Sequence, residues 1–306
     1  MKNIINIGLL FLGIFFVFSC EKEVEVQLPE QKDKLVVEGA IEIAEYPYVV
    51  LSKNTSYFAT VDTNTFQDMF ISDALVTVSD GVLIDTLEYD TVLFFPNFRY
   101  VGHKIKGKPN TSYDLRIEYK GETYTATTKI LTPVNIDSIR YQYVTGSDSL
   151  GYFWLYANDI PNEPNYYRVS TMNAKIDLFD LKEIPAWVYP NISVFDDCCA
   201  DGKLIRAIVS KGKHPLKSES YYQEHPNDWW AYKMGDEAFV RLTRFDHESY
   251  IFWRTLEQVT MNSDNPFAAP ATIPSNISGN ALGVWSGMAS SMQRVKITEE
   301  IHVYDR

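Results

Sequence analysis

Two adjacent cysteines, Cys198 and Cys199, are the residues whose spacing points most directly to covalent chemistry. Vicinal cysteines can close a strained ring, remain as thiols, or sit buried as small apolar groups, and a strained bridge would be easily reduced. The next basic side chain along the chain is Lys203, so no adjacent cation would activate a thiolate. We predict a structural vicinal pair, and whether it forms a disulfide stays open.

The histidines do not form a metal-binding pattern. No H-x-x-H, H-E-x-x-H or mixed Cys/His spacing occurs, so a metal site built from local sequence is not expected. We predict neither a metal ion nor another cofactor. The histidines are His103, His214, His225, His247 and His302.

Serine and carboxylate side chains are the residues that could carry out hydrolysis. The stretch 283–287 is similar to a nucleophile elbow, but Ser286 stands one place late for G-x-S-x-G. The acid pairs 196–197 and 236–237 could serve a glycosidase, and the first pair with Asp201 could hold Ca²⁺. Among 40 acidic residues adjacent pairs arise by chance, and the alternating spacing of a calcium loop is missing. We predict no catalytic residue and no enzymatic activity.

Aromatic side chains are the best candidates for binding. Flat rings on a loop can stack on sugars or anchor a protein partner, and the stretch 221–232 has the composition of a loop. The alternative is that these rings cover a hydrophobic core. A second candidate is the tryptophan of the glycine-rich stretch 279–287. The predicted binding residues are Tyr221, Tyr222, Trp229, Trp230, Tyr232 and Trp285.

Cys20 ends an apolar N-terminal stretch that begins after Lys2. The apolar run 4–18 is short and has a basic start, which is typical of a secretory signal rather than a membrane-spanning helix. The ending Ser19-Cys20 resembles a bacterial lipobox, in which lipid is attached to the cysteine and cleavage makes it the N-terminus. We predict a lipoprotein signal peptide over 1–19 and lipidation of Cys20, with an ordinary signal peptide as the alternative.

The residues after the predicted lipid site form an acidic tether over 20–33. Its charged start, Glu21, Lys22, Glu23 and Glu25, resembles the export signal by which Bacteroidota place lipoproteins on the cell surface. The alternative is a solvated spacer. Several lipid chains hold a protein nearly permanently, so we expect an outer-membrane protein anchored by lipid. Surface display is the predicted location, and the periplasmic face is the alternative.

Composition limits the classes of function. The net charge of −12 over 306 residues argues against nucleic acid and anionic lipid surfaces as partners. Hydrophobic residues make up 45% of the chain, which is typical of a globular protein. Aromatic residues reach 14%, and these suit both β-sheets and binding surfaces.

The first half of the mature chain has the period-two pattern of β-strands. Apolar residues alternate over 35–43, an Asp-Gly pair at 80–81 predicts a hairpin, and 113–119 reads as a half-buried strand. With no helix between such strands, we predict a fibronectin/Ig-like β-sandwich over 34–131. Tyr113 resembles the corner tyrosine of these sandwiches and should bond back to nearby backbone.

The second half, 132–306, is predicted as a separate C-terminal β-rich domain, because Pro133 ends a strand. A helix over about 247–260 is expected with Asp246 as its N-cap. The fold class is therefore mainly β, with two β-sandwich-like domains and a helix inserted in the second. The strands are predicted at 136–143, 152–157, 166–170, 204–210, 237–245 and 294–298.

An ordered set of short motifs carries a family resemblance. The motifs are the acidic run after Cys20, LVVEG at 35–39, VTVSDG at 76–81, NYYR at 165–168, FW at 252–253, NPF at 265–267, PSNI at 274–277 and ALGVW at 281–285. Together they resemble the Bacteroidota lipoprotein family DUF4249, from Cys20 nearly to the end of the chain. Members are often encoded beside TonB-dependent outer-membrane receptors, so the resemblance implies an accessory role in uptake, and it implies no catalytic residues.

These observations lead to three ordered expectations of function. The first is an outer-membrane lipoprotein that acts as the non-enzymatic accessory or binding partner of a TonB-dependent transporter. The second is a surface glycan- or protein-binding module that works without a transporter, and the third is a surface hydrolase. The sequence leaves the ligand, the identity of the partner and the oligomeric state open.

Overall fold

A computed structural model describes residues 34–54, 69–91, 98–174, 186–198, 201–263, 265 and 271–298. The predicted signal peptide, Cys20, the tether with Glu21, Lys22, Glu23 and Glu25, and Cys199 lie outside the described residues. From Asp33 onward the chain forms one compact unit. Within the described part of the chain, no helix combines the length and the apolar character needed to cross a membrane.

The described residues are mainly β-strands, as the sequence predicts, with two helices. The helices are α1, Glu219–Glu224, and α2, His247–Met261. The strands are β1 Leu35–Glu42, β2 Tyr48–Lys53, β3 Leu75–Ser79, β4 Ile84–Thr86, β5 Glu88–Asp90, β6 Arg99–Val101, β7 Thr111–Tyr119, β8 Glu122–Ile130, β9 Ile136–Tyr143, β10 Leu150–Asn158, β11 Tyr166–Asn173, β12 Val194–Asp196, β13 Leu204–Val209, β14 Tyr232–Lys233, β15 Glu237–Phe245 and β16 Leu282–Lys296.

The described strands form three sheets. A large sheet has eight strands in the order β12-β11-β15-β16-β1-β2-β6-β5. A second sheet has the order β4-β3-β7-β8, and a third has the order β13-β10-β14 with β9 also paired to β10. The two smaller sheets pack on the large sheet through separate hydrophobic cores, so the large sheet is shared by two β-sandwiches.

Strand β16 joins the two parts of the large sheet. Its residues 282–288 pair in parallel with β1, and its residues 289–296 pair antiparallel with β15. The glycine-rich composition of 279–287 predicts a loop. Residues 279–280 do form a turn, but 282–287 belong to β16, so the prediction was wrong for those residues. Gly287 is glycine because a Cβ there would lie 2.6 Å from the carbonyl carbon of Lys129, so its composition reflects close strand packing rather than a turn.

The first core lies between the β4-β3-β7-β8 sheet and the β1, β2 and β16 region of the large sheet. Its largest side chain is Trp285, whose ring lies against Gly39, where a Cβ would be 2.8 Å from the indole. The predicted tyrosine corner is confirmed, because the Tyr113 hydroxyl accepts from Lys108 N at 2.7 Å and donates to Lys106 O at 3.5 Å. The inward-facing strand residues include Val37, Ile41, Val49, Leu51, Val76, Val78, Leu115, Ile117 and Ile130.

The second core lies between the β9, β10 and β13 strands and the β11 and β15 region of the large sheet. The alternating pattern of β15 places Ala238, Val240 and Leu242 in this core and turns Arg241 and Thr243 to the outer face. The facing residues include Ile136, Tyr141, Phe153, Leu155, Ala157, Ile205 and Val209.

The two cores divide the chain near the predicted boundary at Thr132-Pro133. Strands before this point build the first core, and strands β9 to β15 build the second. Strand β16 belongs to both, since Trp285 and Ala289 lie in the first core and Val295 lies in the second. The first sandwich therefore takes part of its core from the far end of the described chain.

Helix α2 lies on the outer face of the large sheet, opposite the two cores. Its predicted N-cap is confirmed, because the Asp246 carboxylate accepts from Ser249 N at 2.9 Å. The other oxygen of Asp246 accepts from Thr128 Oγ1 at 2.5 Å, which ties the helix start to β8. At the next turn, Trp253 Nε1 donates to Ser286 Oγ on β16 at 3.3 Å. The helix thereby covers the middle of the sheet.

Candidate functional site

A mostly apolar groove of about 960 Å³ surrounds the predicted residues Trp229 and Trp230. We call it the tryptophan groove. Ile192 is 66% exposed and Ile208 is 51% exposed, so its walls offer large apolar side chains to solvent. The principal lining residues are Tyr152, Trp154, Ile192, Phe195, Ile208, Trp229 and Trp230.

The turn that carries the two tryptophans is fixed by local hydrogen bonds. Ser218 caps helix α1, and the Tyr221 hydroxyl donates to Asp228 Oδ2 at 2.7 Å on the far side of the turn. The His225 ring stacks on Tyr221 with a centroid distance of 4.5 Å. Ala231 N donates to Asn227 O at 2.9 Å and closes the turn. These bonds hold the indoles at the groove and limit the entropy lost on binding.

Three of the predicted binding residues are buried, so their predicted exposure was wrong. Trp285 is fully buried in the first core, because the stretch that resembled a loop is strand β16. Tyr232 lies in the second core, where β14 pairs with β10. Tyr222 is buried and its hydroxyl accepts from His214 N at 2.5 Å. The alternative, that rings of this stretch cover the protein interior, therefore holds for Tyr222 and Tyr232.

The remaining predicted residues have intermediate or undescribed environments. Trp229, Trp230 and Tyr221 are half-buried, and Tyr221 lies beside the groove rather than in it. Cys198 is exposed, and Cys199 lies outside the described residues. The vicinal disulfide thus stays a prediction.

A second concavity lies on the outer face of the large sheet, and the sequence did not indicate it. We call it the sheet cavity; it encloses about 520 Å³. Its floor comes from strands β1, β2, β6, β11, β15 and β16, and its walls come from helix α2 and from 186–189. The lining residues that carry charge or aromatic rings are Glu38, Glu42, Glu45, Tyr46, Tyr48, Arg99, Arg168, Trp187, Tyr189, Arg241, Phe245 and Trp253.

Two arginines in the sheet cavity are held by aromatic rings. The Arg168 guanidinium carbon lies 3.4 Å from the ring centre of Tyr189 and 4.2 Å from that of Trp253. The Arg241 guanidinium carbon lies 3.8 Å from the ring centre of Trp187. Such cation–π contacts fix the orientation of a guanidinium while its N–H groups stay free to bond at the edges.

Two nitrogens of Arg241 bond to other side chains, which gives this residue a structural role. Its Nη1 lies 3.2 Å from Glu42 Oε2, and its Nε donates to Ser170 Oγ at 3.0 Å. The Arg241 side chain is only 5% exposed. A buried guanidinium needs such a partner, because an unpaired buried charge is costly.

Glu38 has a perturbed acidity. Solvent reaches its carboxylate through the cavity, yet protein surrounds the group deeply enough that desolvation raises the pKa of Glu38. The positive charge of Arg168 lowers this pKa only in part. A carboxyl group with a raised pKa inside a cavity is a candidate functional group, although structural networks also produce such shifts.

The segment 187–195 lines the sheet cavity with its first residues and the tryptophan groove with its last, and hydrogen bonds hold it to helix α2. Glu257 accepts from Ser193 N at 2.6 Å and from Ser193 Oγ at 2.8 Å. Arg254 Nη1 donates to Val194 O at 2.6 Å. Because the helix holds this segment by charge-assisted bonds, both concavities have one fixed wall in common.

Three carboxylates meet where the loop before β11 contacts the loop after β12. Ligand atoms of Asp159, Asp197 and Asp201 lie within 4.8 Å of one another. The calcium alternative weighed from the sequence combined Asp196 with the last two, but Asp196 is not in this cluster. Asp159 accepts from the Tyr167 hydroxyl at 2.5 Å. Hydrogen bonds from neutral donors such as this hydroxyl can stabilise the three neighbouring carboxylates without a bound metal ion.

The serine weighed as a nucleophile has a structural position. Ser286 is almost fully buried in the middle of β16 and accepts from Trp253 Nε1. A nucleophile elbow requires a sharp strand-to-helix turn, which this strand position does not provide.

Comparison with known proteins places the chain in a family. A search among curated proteins found no match. A family profile described as a domain of unknown function, DUF4249, matches residues 21–294. The match covers nearly the whole chain after the predicted signal peptide and confirms the resemblance read from the ordered motifs. The chain therefore belongs to the DUF4249 family.

Proposed function

We propose that this protein is a lipid-anchored outer-membrane lipoprotein, displayed at the cell surface, that acts as a non-enzymatic accessory partner of a TonB-dependent transporter. The lipobox-like ending at Cys20 supports the anchor. The acidic run over 21–25 supports export to the surface, as in the Bacteroidota lipoproteins that this sequence resembles. A tether of this composition leaves the folded part free to reach a neighbouring membrane protein.

The tryptophan groove is the observation that carries the partner role. Contiguous apolar side chains exposed on a folded protein mark interaction sites, because leaving them in water is unfavourable. Tryptophan is the residue most enriched among energetic hot spots of interfaces. Trp229 and Trp230, with Ile192 and Ile208 beside them, form such a patch. The matching surface of the partner would present apolar side chains at its centre and polar groups at its rim.

A surface glycan- or protein-binding module independent of a transporter is the second candidate. The sheet cavity favours this candidate, because small-molecule sites typically combine aromatic walls with a few polar or charged groups. A surface hydrolase is the third candidate, and the buried position of Ser286 argues against this serine as its nucleophile.

Co-purification from native outer membranes tests the partner role. The tagged full chain is cross-linked and purified, and the recovered transporter is quantified by mass spectrometry. Ile208→Asp places a charge in the tryptophan groove and is expected to lower the recovery at least about tenfold, equal to about 1.4 kcal/mol. Ile84→Asp is the matched control, since Ile84 is also an exposed strand isoleucine but belongs to the β4-β3-β7-β8 sheet and does not line the groove. Equal recovery with both variants would contradict the proposal.

A further inference from the structure

The sheet cavity contains polar groups that the protein itself leaves unsatisfied. Among the residues that the structure describes, neither the carboxylate of Glu38 nor the hydroxyl of Tyr48 has a hydrogen-bond partner. Arg168 donates only through Nε, to Ser193 Oγ at 3.4 Å, so its two terminal nitrogens also lack a partner there. Arg99 Nε is buried and unpartnered. Of these groups only Arg99 Nε is fully buried; Glu38 is exposed, and Tyr48 and Arg168 are half-buried. Buried polar groups are normally bonded, so the unpaired Arg99 Nε, with three solvent-accessible polar groups lining the same cavity, indicates a ligand site.

These groups are near one another and differ in what they offer. Glu38 accepts hydrogen bonds, Arg168 donates them, and Tyr48 does both. Glu38, Arg168 and Tyr48 line the same cavity. The charge of Arg168 lowers the pKa of Glu38, and the charge of Glu38 raises the pKa of Tyr48. Glu38 and Arg168 nevertheless do not form an ion pair. A gap therefore separates an acceptor from a donor, and a ligand that spans it must itself donate to one and accept from the other.

The charges lining the cavity balance. Three carboxylates stand against three guanidiniums, so the ligand does not have to bring a net charge. The carboxylates are Glu38, Glu42 and Glu45, and the guanidiniums are Arg99, Arg168 and Arg241.

The walls add flat apolar surface. Trp187 lines the cavity from the segment 186–189, and Trp253 lines it from helix α2. Tyr46 also lines the cavity and is exposed to solvent. A guanidinium covers one face of each indole, Arg241 on Trp187 and Arg168 on Trp253, so a sugar ring would stack its C–H groups on the other face. Hydroxyl groups at the edge of the sugar ring both donate and accept. A volume of about 520 Å³ lies in the range of small-ligand pockets.

We propose that the sheet cavity is a carbohydrate-binding site, in which a neutral sugar unit bonds to Glu38, Tyr48 and Arg168 and stacks on a tryptophan. The inference does not rest on docking to a transporter, because the tryptophan groove is a separate concavity. A third concavity, of about 680 Å³, shares Arg168 and Trp253 with the cavity and Trp229 with the groove. A longer oligosaccharide could continue along this path.

Fluorescence titration of the purified full chain tests the proposal, because Trp187 and Trp253 would report a bound sugar. The probes are four neutral oligosaccharides: cellopentaose, maltopentaose, mannopentaose and xylopentaose. We expect saturable binding of at least one of them. Glu38→Gln replaces a charged acceptor with a neutral amide and Tyr48→Phe removes a hydroxyl, so each should weaken binding by about tenfold or more. Glu224→Gln, an exposed glutamate outside the three concavities, should leave the affinity unchanged.

The outcomes separate a ligand site from a structural one. Melting temperatures of the variants show whether they are folded, and Tyr48→Phe keeps the ring and decides the matter if Glu38→Gln is unstable. Failure of all four sugars to bind would overturn the proposal, and so would equal binding by the wild type and the folded variants. Glycylglycine is a zwitterionic probe that also offers a donor and an acceptor. Its binding in place of the sugars would overturn the ligand class.

Discussion

The indole Nε1 of Trp285 donates a hydrogen bond of 3.0 Å to the carbonyl oxygen of Tyr113, 172 positions earlier in the chain. Both side chains are fully buried in the first core. Trp285 comes from β16 of the large sheet and Tyr113 from β7 of the sheet packed on it, so the bond joins the two layers of the first sandwich.

Replacing Trp285 with alanine is expected to destabilise the protein by ~3–5 kcal/mol, because it leaves a cavity and an unpaired carbonyl in the first core. Urea unfolding measures the loss. Trp229→Ala is the matched control; its indole is half-buried in the tryptophan groove, so its unfolding free energy should change by less than about 1 kcal/mol. Similar losses for both variants would contradict the assignment of one ring to the core and the other to the surface.

A fragment of residues 34–131 is expected not to fold alone, although the alternating strands of this region predict a separate domain. The fragment lacks Trp285, Ala289 and the strand that pairs with β1. We expect it to bind a hydrophobic dye and to melt without a cooperative transition, as a state without fixed packing does. The full chain is the control. A sharp thermal transition of the fragment would show that its core is self-sufficient.

Acid stability should depend on the bond between Tyr250 and Asp196. The Tyr250 hydroxyl donates at 2.7 Å, and this bond is the main cause that holds the pKa of Asp196 below its ordinary value. The unfolded state therefore binds more protons between the native pKa and about 4, so the stabilisation is complete above about pH 4 and is lost as pH falls through the native pKa.

Tyr250→Phe should consequently lower the unfolding free energy by ~1 kcal/mol at pH 7, with a smaller difference at pH 3. Urea unfolding at both pH values measures this. Tyr166→Phe is a suitable control, since the Tyr166 ring stacks on Tyr250 at 4.5 Å. If the loss of unfolding free energy in Tyr250→Phe is the same at both pH values, the Tyr250–Asp196 hydrogen bond does not cause the acid sensitivity.

The Arg241–Glu42 pair should matter more than an exposed ion pair. Glu42→Gln leaves a guanidinium that is only 5% exposed without its carboxylate, so we expect a loss of ~2–3 kcal/mol. The control is Glu118→Gln, whose partner Arg116 is half-exposed, and its loss should stay below about 1 kcal/mol. Denaturant unfolding of both variants compares them, and equal losses would show that the depth of Arg241 has no energetic effect.

Cys20→Ala should abolish lipid attachment, because the thiol is the acceptor in the predicted lipobox. Labelling with a fatty acid checks this, and label in the variant would exclude lipidation at Cys20.

Replacing Glu21, Glu23 and Glu25 with alanine should keep the lipid but lose surface display. Protease accessibility in intact cells distinguishes an export signal from a spacer, since a spacer predicts unchanged accessibility.

The sequence predicted those strands and helices whose burial pattern or cap depends on neighbouring residues in the chain. The alternation in β7 and β15 follows directly from one buried face, and the cap of α2 lies in one Asp residue before the helix. The sequence predicted only the last residues of β16 and missed its part 282–293. Small residues there serve distant backbones: Gly287 packs on the backbone at Lys129, and only the tertiary structure brings the two together.

The sheet cavity escaped prediction for a similar reason. In β1 the polar Glu38 follows the alternation of a half-exposed strand, so it reads as a residue that faces open solvent. Its setting depends on Arg168 from β11 and on the cover supplied by helix α2, which are remote in sequence. The burial of Tyr222 and Tyr232 likewise depends on packing that a loop-like composition conceals.

The parallel pairing of β1 with β16 sets the order in which the molecule can be completed. In the large sheet, β1 is synthesised long before β16, its parallel neighbour, because more than 200 residues separate the two strands in the sequence. Contacts this distant form slowly, because a long loop must close before they give any stabilisation. The middle of the main sheet thus stays open until β16 has been made, which suits the proposed export of the chain across a membrane before it folds.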